Sequence, residues 1–292
     1  MVPDQRSAIC RLILRGLLPL ALLAAIGIAP AWTQAAPADV SLVQRALSSE
    51  LAHANSTQHP MRYQLRKSSP RYTSTKAICE TRDGAVARLV AVNDKPLSAL
   101  DEQKEQARLN GLLSDPGKQR HRKQSEDDDT ARVMKVLRAL PTAFTYQYAG
   151  AGTGRTGWVQ KFSFKPNPNF EPPDLETQAL TAMTGEIWID PSELRVVHLE
   201  GHLDHDIDFG WGILGRLNKG GWITIDQADV GNHQWRIVRF QMVMSGRVVF
   251  KTKSFDTLEE QTHYEPVPVG LGYAQAIQIL RSGAAKTDLG GR

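Results

Sequence analysis

The chain has 292 residues, 23% of them charged, a formal net charge of +4 and two cysteines. Its first 35 residues hold three arginines and one aspartate, so half of the net charge belongs to that segment. The remainder is near neutral and carries no basic stripe interleaved with aromatics, which excludes a nucleic-acid surface. Cys79 is the one cysteine beyond the segment, which excludes an internal disulfide there and leaves the fold to its core.

Arg6, Arg11 and Arg15 precede an apolar run at residues 17–28, and Thr33-Gln34-Ala35 places small side chains where a signal peptidase reads. Residues 1–35 read as a secretory signal peptide cleaved near Ala35. The run, about a dozen residues, is short for a bilayer span. Cys10 lies ahead of it, so it cannot become a lipidated mature N-terminus. The expected product is periplasmic or secreted, with no integral membrane span.

Residues 41–54 predict a helix, with Ser41 as cap and Leu42, Val43, Ala46, Leu47 and Leu51 on one stripe. Strands follow at 61–65, 72–82 and 85–93, the last two joined at Asp83-Gly84, a hairpin signal. Residues 97–113 predict a second helix capped by Ser98 and broken at Asp115-Pro116-Gly117. A basic run at 118–123 and an acidic run at 126–129 read as a solvated connection or as a helix with intrahelical ion pairs. Val133, Val136, Leu137 and Leu140 form a stripe that Pro141 is expected to end.

Strands resume at 144–149 and 158–164. Pro166, Pro168, Pro172 and Pro173 make 165–174 an extended crossing outside the ladder. Further strands are expected at 185–189, 195–207, 221–228, 235–245, 247–253 and 261–264, with a bend at Gly246. A helix at 273–280 leads into a polar tail. The organisation is a single domain over 36–269, a helical insertion at about 97–141, and a short helix with tail over 270–292. Short connections favour sequential antiparallel pairing.

Gly152-Thr153-Gly154-Arg155-Thr156-Gly157 matches a dinucleotide fingerprint in letters only. A strand, Trp158-Val159-Gln160-Lys161-Phe162, follows where the pyrophosphate needs a helix N-terminus, so the segment reads as a hairpin loop. His198, Glu200, His202 and Asp204 are ligand types for zinc. Residues two apart on a strand lie nearly 7 Å apart, which suits a tetrahedral ion poorly. His198, His202 and Asp204 are the candidates if a metal binds; the reading adopted has no metal, no cofactor, no catalytic set and no enzyme. Cys79 reads as a small buried side chain.

Alternation is the strongest signal. His198, Glu200, His202, Asp204, Asp206 and Asp208 share one parity, and Val197, Leu199, Leu203 and Ile207 the other. Val238, Phe240, Met242, Met244, Val248 and Phe250 form a second apolar face. These ten apolar residues are the candidate ligand-cavity lining. Trp211, Ile213 and Leu214, in the glycine-rich turn at 208–221, are loop candidates, either packed on the sheet or exposed for binding.

The segment Met183-Thr184-Gly185-Glu186-Ile187-Trp188-Ile189-Asp190, followed by Leu194-Arg195-Val196-Val197-His198-Leu199-Glu200-Gly201, resembles the central strands of the outer-membrane lipoprotein carrier (LolA-like) superfamily. The turn at 208–221 is similar to one in exported bacterial relatives of that group. The resemblance covers most of the chain beyond residue 35 in architecture and about residues 183–250 in motif. It implies an α+β fold, mainly antiparallel β: an unclosed, curved half-barrel of about ten strands covered on its concave face by helices. It further implies a hydrophobic ligand, a lipid or the acyl chain of a lipoprotein. The expected function is a periplasmic binding or carrier protein, in which Met242 and Met244 suit a cavity of adaptable shape. Two other readings stand beside it: an interaction or envelope-sensor module with a self-filled core and an envelope protein as partner, and a metal-dependent hydrolase.

Overall fold

The computed structural model describes residues 39–54, 59–209, 215–248 and 251–282. The expected signal peptide, the turn residues Trp211, Ile213 and Leu214, Phe250 and the tail lie outside the described residues, as does the side chain of Val248.

Helix α1 (Ser41–Ala54) is followed by the antiparallel strands β1 (Met61–Ser69), β2 (Tyr72–Cys79), β3 (Val86–Val92) and the two-residue β4 (Lys95–Pro96). Helices α2 (Ala99–Ser114) and α3 (Pro116–Ala143) come next, then the hairpin β5 (Phe144–Gly154) and β6 (Gly157–Pro166). A short helix α4 (Leu175–Gln178) and a 3-10 turn, Ala179–Ala182, lead to β7 (Met183–Asp190) and β8 (Arg195–Leu203). Strands β9 (Ile207–Phe209) and β10 (Gly215–Leu217) pair with each other. The chain continues through β11 (Trp222–Asp229), β12 (Trp235–Val248), β13 (Lys251–Pro266) and α5 (Tyr273–Ser282).

The main sheet runs β4-β3-β2-β1-β13-β12-β11-β8-β7-β6-β5, with β9 and β10 joined to it through β12. All its pairings are antiparallel. Its end strands β4 and β5 do not meet, so this is an unclosed half-barrel of an α+β protein. Sequential pairing holds within three meanders, β1–β4, β5–β8 and β11–β13. The exceptions are β1 with β13, β8 with β11 and β10 with β12.

Several boundaries differ from the sequence expectation. Residues 195–207 are two strands, because Asp204-His205-Asp206 leaves the ladder. Gly246 does not bend its strand: a Cβ there would lie 2.4 Å from the Arg216 carbonyl oxygen, so glycine lets β10 lie close against β12. The segments expected at 247–253 and 261–264 belong to the long strands β12 and β13, whose register is continuous from Arg239↔Glu260 to Val248↔Lys251. Pro166, placed outside the ladder, pairs with Phe144. Pro141 lies inside α3 rather than ending it. The last-turn carbonyls find other donors: Ala139 from the Thr142 hydroxyl at 3.1 Å, Leu140 from the Tyr146 hydroxyl at 2.8 Å, Thr142 from Asn167 Nδ2 at 2.9 Å.

The principal core lies on β5–β8. Phe144, Phe162, Phe164, Ile187, Ile189, Val196 and Leu203 pack against Leu42, Val43, Ala46 and Leu47 of α1 and Ala139, Leu140 and Ala143 of α3. Each such large side chain fully buried contributes about 1.5–3 kcal/mol. A second core lies on β2–β3, where Cys79 and Val86 meet Leu109 and Leu112 of α2 and Ala276, Ile277 and Leu280 of α5. Paired residues on neighbouring strands point to one side of a sheet. The register Leu199↔Ile225, Ile225↔Phe240, Phe240↔Glu259, Glu259↔Lys67 and Lys67↔Ser74 carries the α1 face across to Ser74, Lys76 and Ile78. Cys79 has the opposite parity. The α2–α5 core is therefore on the other face of the sheet.

Candidate functional site: an apolar face beneath a spanning helix

Between the two cores, the α1 face carries apolar side chains that no helix covers. Leu199, Ile223, Ile225, Phe240, Met242, Met244, Leu65 and Tyr63 are all half-buried, and Phe255 is 49% exposed. Register aligns them: Ile223 lies opposite Met242, Ile225 opposite Phe240, and Met244 opposite Phe255. Leu199, Ile223 and Met244 touch the principal core, so the strip continues that core outward. Its far margin is marked by a Lys67–Glu259 ion pair at 2.7 Å and by the stacked rings of Tyr63 and Tyr264, 4.9 Å apart. Burial raises the pKa of both tyrosine hydroxyls, so these rings stay neutral.

Helix α3 reaches both sides of this strip. At its N-terminal end the Gln119 amide donates to the Asp83 carbonyl at 2.8 Å, and Glu126 accepts the Ala85 N–H at 2.9 Å. At its C-terminal end Met134, Ala139, Leu140 and Ala143 are buried. Residues 127–133 between these anchors are all exposed, on every side of the helix. Lys123–Asp127 and Asp129–Arg132 ion pairs brace this stretch along its own surface. A 28-residue helix is about 42 Å long. Eight strand spacings from β2 to β5 amount to about 38 Å. Helix α3 thus runs from the β2–β3 turn on one side of the strip to the principal core on the other.

The sequence-derived lining residues distribute unevenly. Phe240, Met242 and Met244 sit on the strip. Leu199 joins it at the core margin, whereas Leu203 and Ile207 are buried inside the principal core. Val238 stands at a register shift between Asp226↔Arg239 and Gln227↔Ile237 and has no partner on β11. Val197 is on the other face. The ladder steps from Trp188↔His198 to Ile189↔Val196, so Val197 is the extra residue of a bulge. The bulge reverses parity: Val196 enters the principal core, and Val197 packs with Val159 and Trp235. Alternation alone could not find this. Tyr63, Leu65, Ile223, Ile225 and Phe255 complete the strip; the first four are placed by the long-range pairs β1–β13 and β8–β11, and Phe255 by its pairing with Met244 across β12 and β13.

The polar side of β8 is a surface of local pairs. His198 Nδ1 lies 2.6 Å from Asp226 Oδ1, and its ring stacks on Trp188 at 4.5 Å. Lys161 Nζ sits 3.7 Å above that tryptophan. His202 meets Thr184 at 2.9 Å and Asp204 at 3.2 Å. Among the described residues no group of three or more His, Cys, Asp or Glu is placed to hold a metal ion. Cys79 is fully buried, and burial pushes its thiol up to about 11. Two clefts lie away from the strip. One, about 530 Å³, separates α2 from α3 at Arg108, Lys118 and His121. The other, about 470 Å³, is on the α2–α5 face, where Arg66 is already taken by Asp94 and Glu260. Among the described residues no helix is long and apolar enough to cross a membrane.

No protein-family model matches the chain, and no curated protein matches it. Two solved structures overlap it. A domain described as an outer membrane lipoprotein-sorting protein, from Vibrio parahaemolyticus, is 10% identical, with a TM-score of 0.30 over 81% of this chain and 97% of that one. A DUF1329 family protein from Desulfovibrio piger is 9% identical, with a TM-score of 0.28 over 80% of this chain and 95% of that one. Overlaps this loose do not define the fold, which stands on the strand pairing itself.

Proposed function

We propose that this protein binds the hydrophobic part of a lipid or of an acylated protein, non-enzymatically, along the strip beneath α3. The observation that carries this reading is the half-buried run of Leu199, Ile225, Phe240, Met242 and Leu65, flanked on both sides by the anchors of α3. Each acyl CH₂ removed from water contributes about 0.8 kcal/mol, so a chain of about a dozen carbons binds without polar recognition. Two methionines in the strip adapt to chains of differing shape. Export to the periplasm, expected from residues 1–35, would place such a site where lipids and acylated proteins cross between membranes. The test is native mass spectrometry after gentle extraction, with titration of a fluorescent fatty-acid probe. A co-purifying lipid or saturable uptake is expected; neither a bound lipid nor any uptake would sink the proposal.

A second reading, an interaction or sensor module filled by its own helices, draws on the packed half of the same face, where α1 and α3 already cover β5–β8. It predicts no probe uptake, so the same titration separates the two.

A further inference from the structure

The two edges of the sheet are treated differently. On the β3 edge, the outward backbone groups are occupied by side chains. Glu105 accepts the Leu89 N–H at 2.8 Å, Arg108 donates to the Ala87 carbonyl at 2.5 Å, and Glu126 accepts the Ala85 N–H at 2.9 Å. The rest of that edge is covered by β4, Lys95–Pro96, and lysine and proline both discourage strand addition. The β5 edge has none of this. Its eleven residues, Phe-Thr-Tyr-Gln-Tyr-Ala-Gly-Ala-Gly-Thr-Gly, include no charge and no proline.

The register says which groups point outward. Asn167 N–H donates to the Ala143 carbonyl at 2.8 Å, so that pair is hydrogen-bonded. Antiparallel pairs alternate, so Phe144↔Pro166, Tyr146↔Phe164 and Tyr148↔Phe162 are non-hydrogen-bonded pairs. Pro166, which has no N–H, fits this assignment. The N–H and C=O groups of Phe144, Tyr146 and Tyr148 therefore face away from β6. Among the described residues no second strand pairs with them.

We infer that the β5 edge pairs with the β5 edge of a second copy of this chain, antiparallel about a two-fold axis near Tyr146. Such a pairing sets the outward groups of Phe144 against those of Tyr148 from the other copy and forms about six hydrogen bonds. It brings no like charges together, because the strand has none. The two-fold makes the interface self-complementary and closed at two copies. The seam is narrow beside the roughly 1,600 Å² of a standard interface, so the pair dissociates on dilution.

Sedimentation velocity of the full chain beyond residue 35 over a dilution series tests this, alongside the double variant Thr145→Lys, Gln147→Lys. Both positions are exposed and on the face away from the principal core. The wild type is expected to dimerise with rising concentration. The variant, which sets lysines against lysines across the seam, is expected to dimerise about tenfold more weakly or not at all, with an unchanged circular-dichroism melt. A wild type that stays monomeric throughout, or a folded variant that dimerises as well as the wild type, overturns the inference. Amide exchange at Tyr146 and Tyr148 in the wild type, slow when concentrated and fast when dilute, decides the matter even if the variant misfolds; exchange independent of concentration also overturns it.

Discussion

Glu50 of α1 holds Arg195 of β8 at 2.8 Å and, through its other carboxylate oxygen, accepts the Val196 N–H at 2.9 Å. Both side chains are buried. One carboxylate thus ties the first helix to the strand just where the bulge begins. It also satisfies a buried backbone donor beside the bulge. Arg195 also lies 5.9 Å from the centre of the Trp235 ring, which joins this knot to the start of β12.

Glu50→Ala would leave a buried guanidinium without a counter-charge and the Val196 N–H without an acceptor. Losing one partner of a buried pair costs about 3–5 kcal/mol. Glu50→Gln keeps an acceptor and should cost less. Urea unfolding midpoints of the two variants check this ordering. Equal and small shifts would mean that water replaces the carboxylate freely.

Gly185 and Gly201 face each other across β7 and β8, yet they should tolerate alanine differently. A Cβ on Gly185 would lie 1.9 Å from the Glu200 carbonyl oxygen, a backbone atom that moves only if the strands separate. A Cβ on Gly201 would meet Met183 Sδ at 2.8 Å, in a side chain that can rotate away. Gly185→Ala is expected to cost at least about 3 kcal/mol, and Gly201→Ala about 1 kcal/mol. Thermal melts of both variants compare them.

Strands β8 and β12 show how far the sequence reaches. Apolar alternation correctly brings Phe240, Met242 and Met244 to one face, because β12 is regular from Arg239 onward. It fails at Val197, because a bulge is a change of register, and register belongs to two strands at once. It also leaves Leu65 and Ile225 unremarked, since the β1–β13 and β8–β11 pairings that bring them into one strip with Leu199 are long-range. The charged run of α3 carries the ion pairs its spacing suggests. That its middle stands clear of the sheet follows from where its two ends are fastened, which local pattern does not encode.

Glu80 provides a pH signature. Burial raises its pKa above the ordinary value of 4.5, against a smaller lowering by the Met61 N–H it accepts at 2.8 Å. A raised folded-state pKa means that the carboxyl's contribution to stability is fully present below the unfolded value and is lost as pH rises through the folded one. Glu80→Gln keeps an acceptor and does not titrate. Relative to wild type, it should gain stability as pH climbs from the ordinary glutamate range through the raised folded-state pKa, then level off. Urea midpoints across that range measure the difference, and a constant gap would remove Glu80 as its source.

The strip and the core should respond oppositely to charge. Met242 and Phe240 are half-exposed and belong to no buried cluster, so Met242→Glu or Phe240→Glu should cost about 1 kcal/mol of stability or less. Either puts a carboxylate where an acyl chain would lie, and the chain cannot desolvate it cheaply. Fatty-acid probe binding is therefore expected to fall at least about tenfold while the fold persists. Leu203 is 2% exposed, in the core between β8 and α1. Leu203→Glu should unfold the protein, at a cost above about 4 kcal/mol. Probe titration together with circular dichroism on the three variants separates the outcomes. If Met242→Glu and Phe240→Glu bind the probe like wild type, any hydrophobic ligand lies somewhere other than under α3.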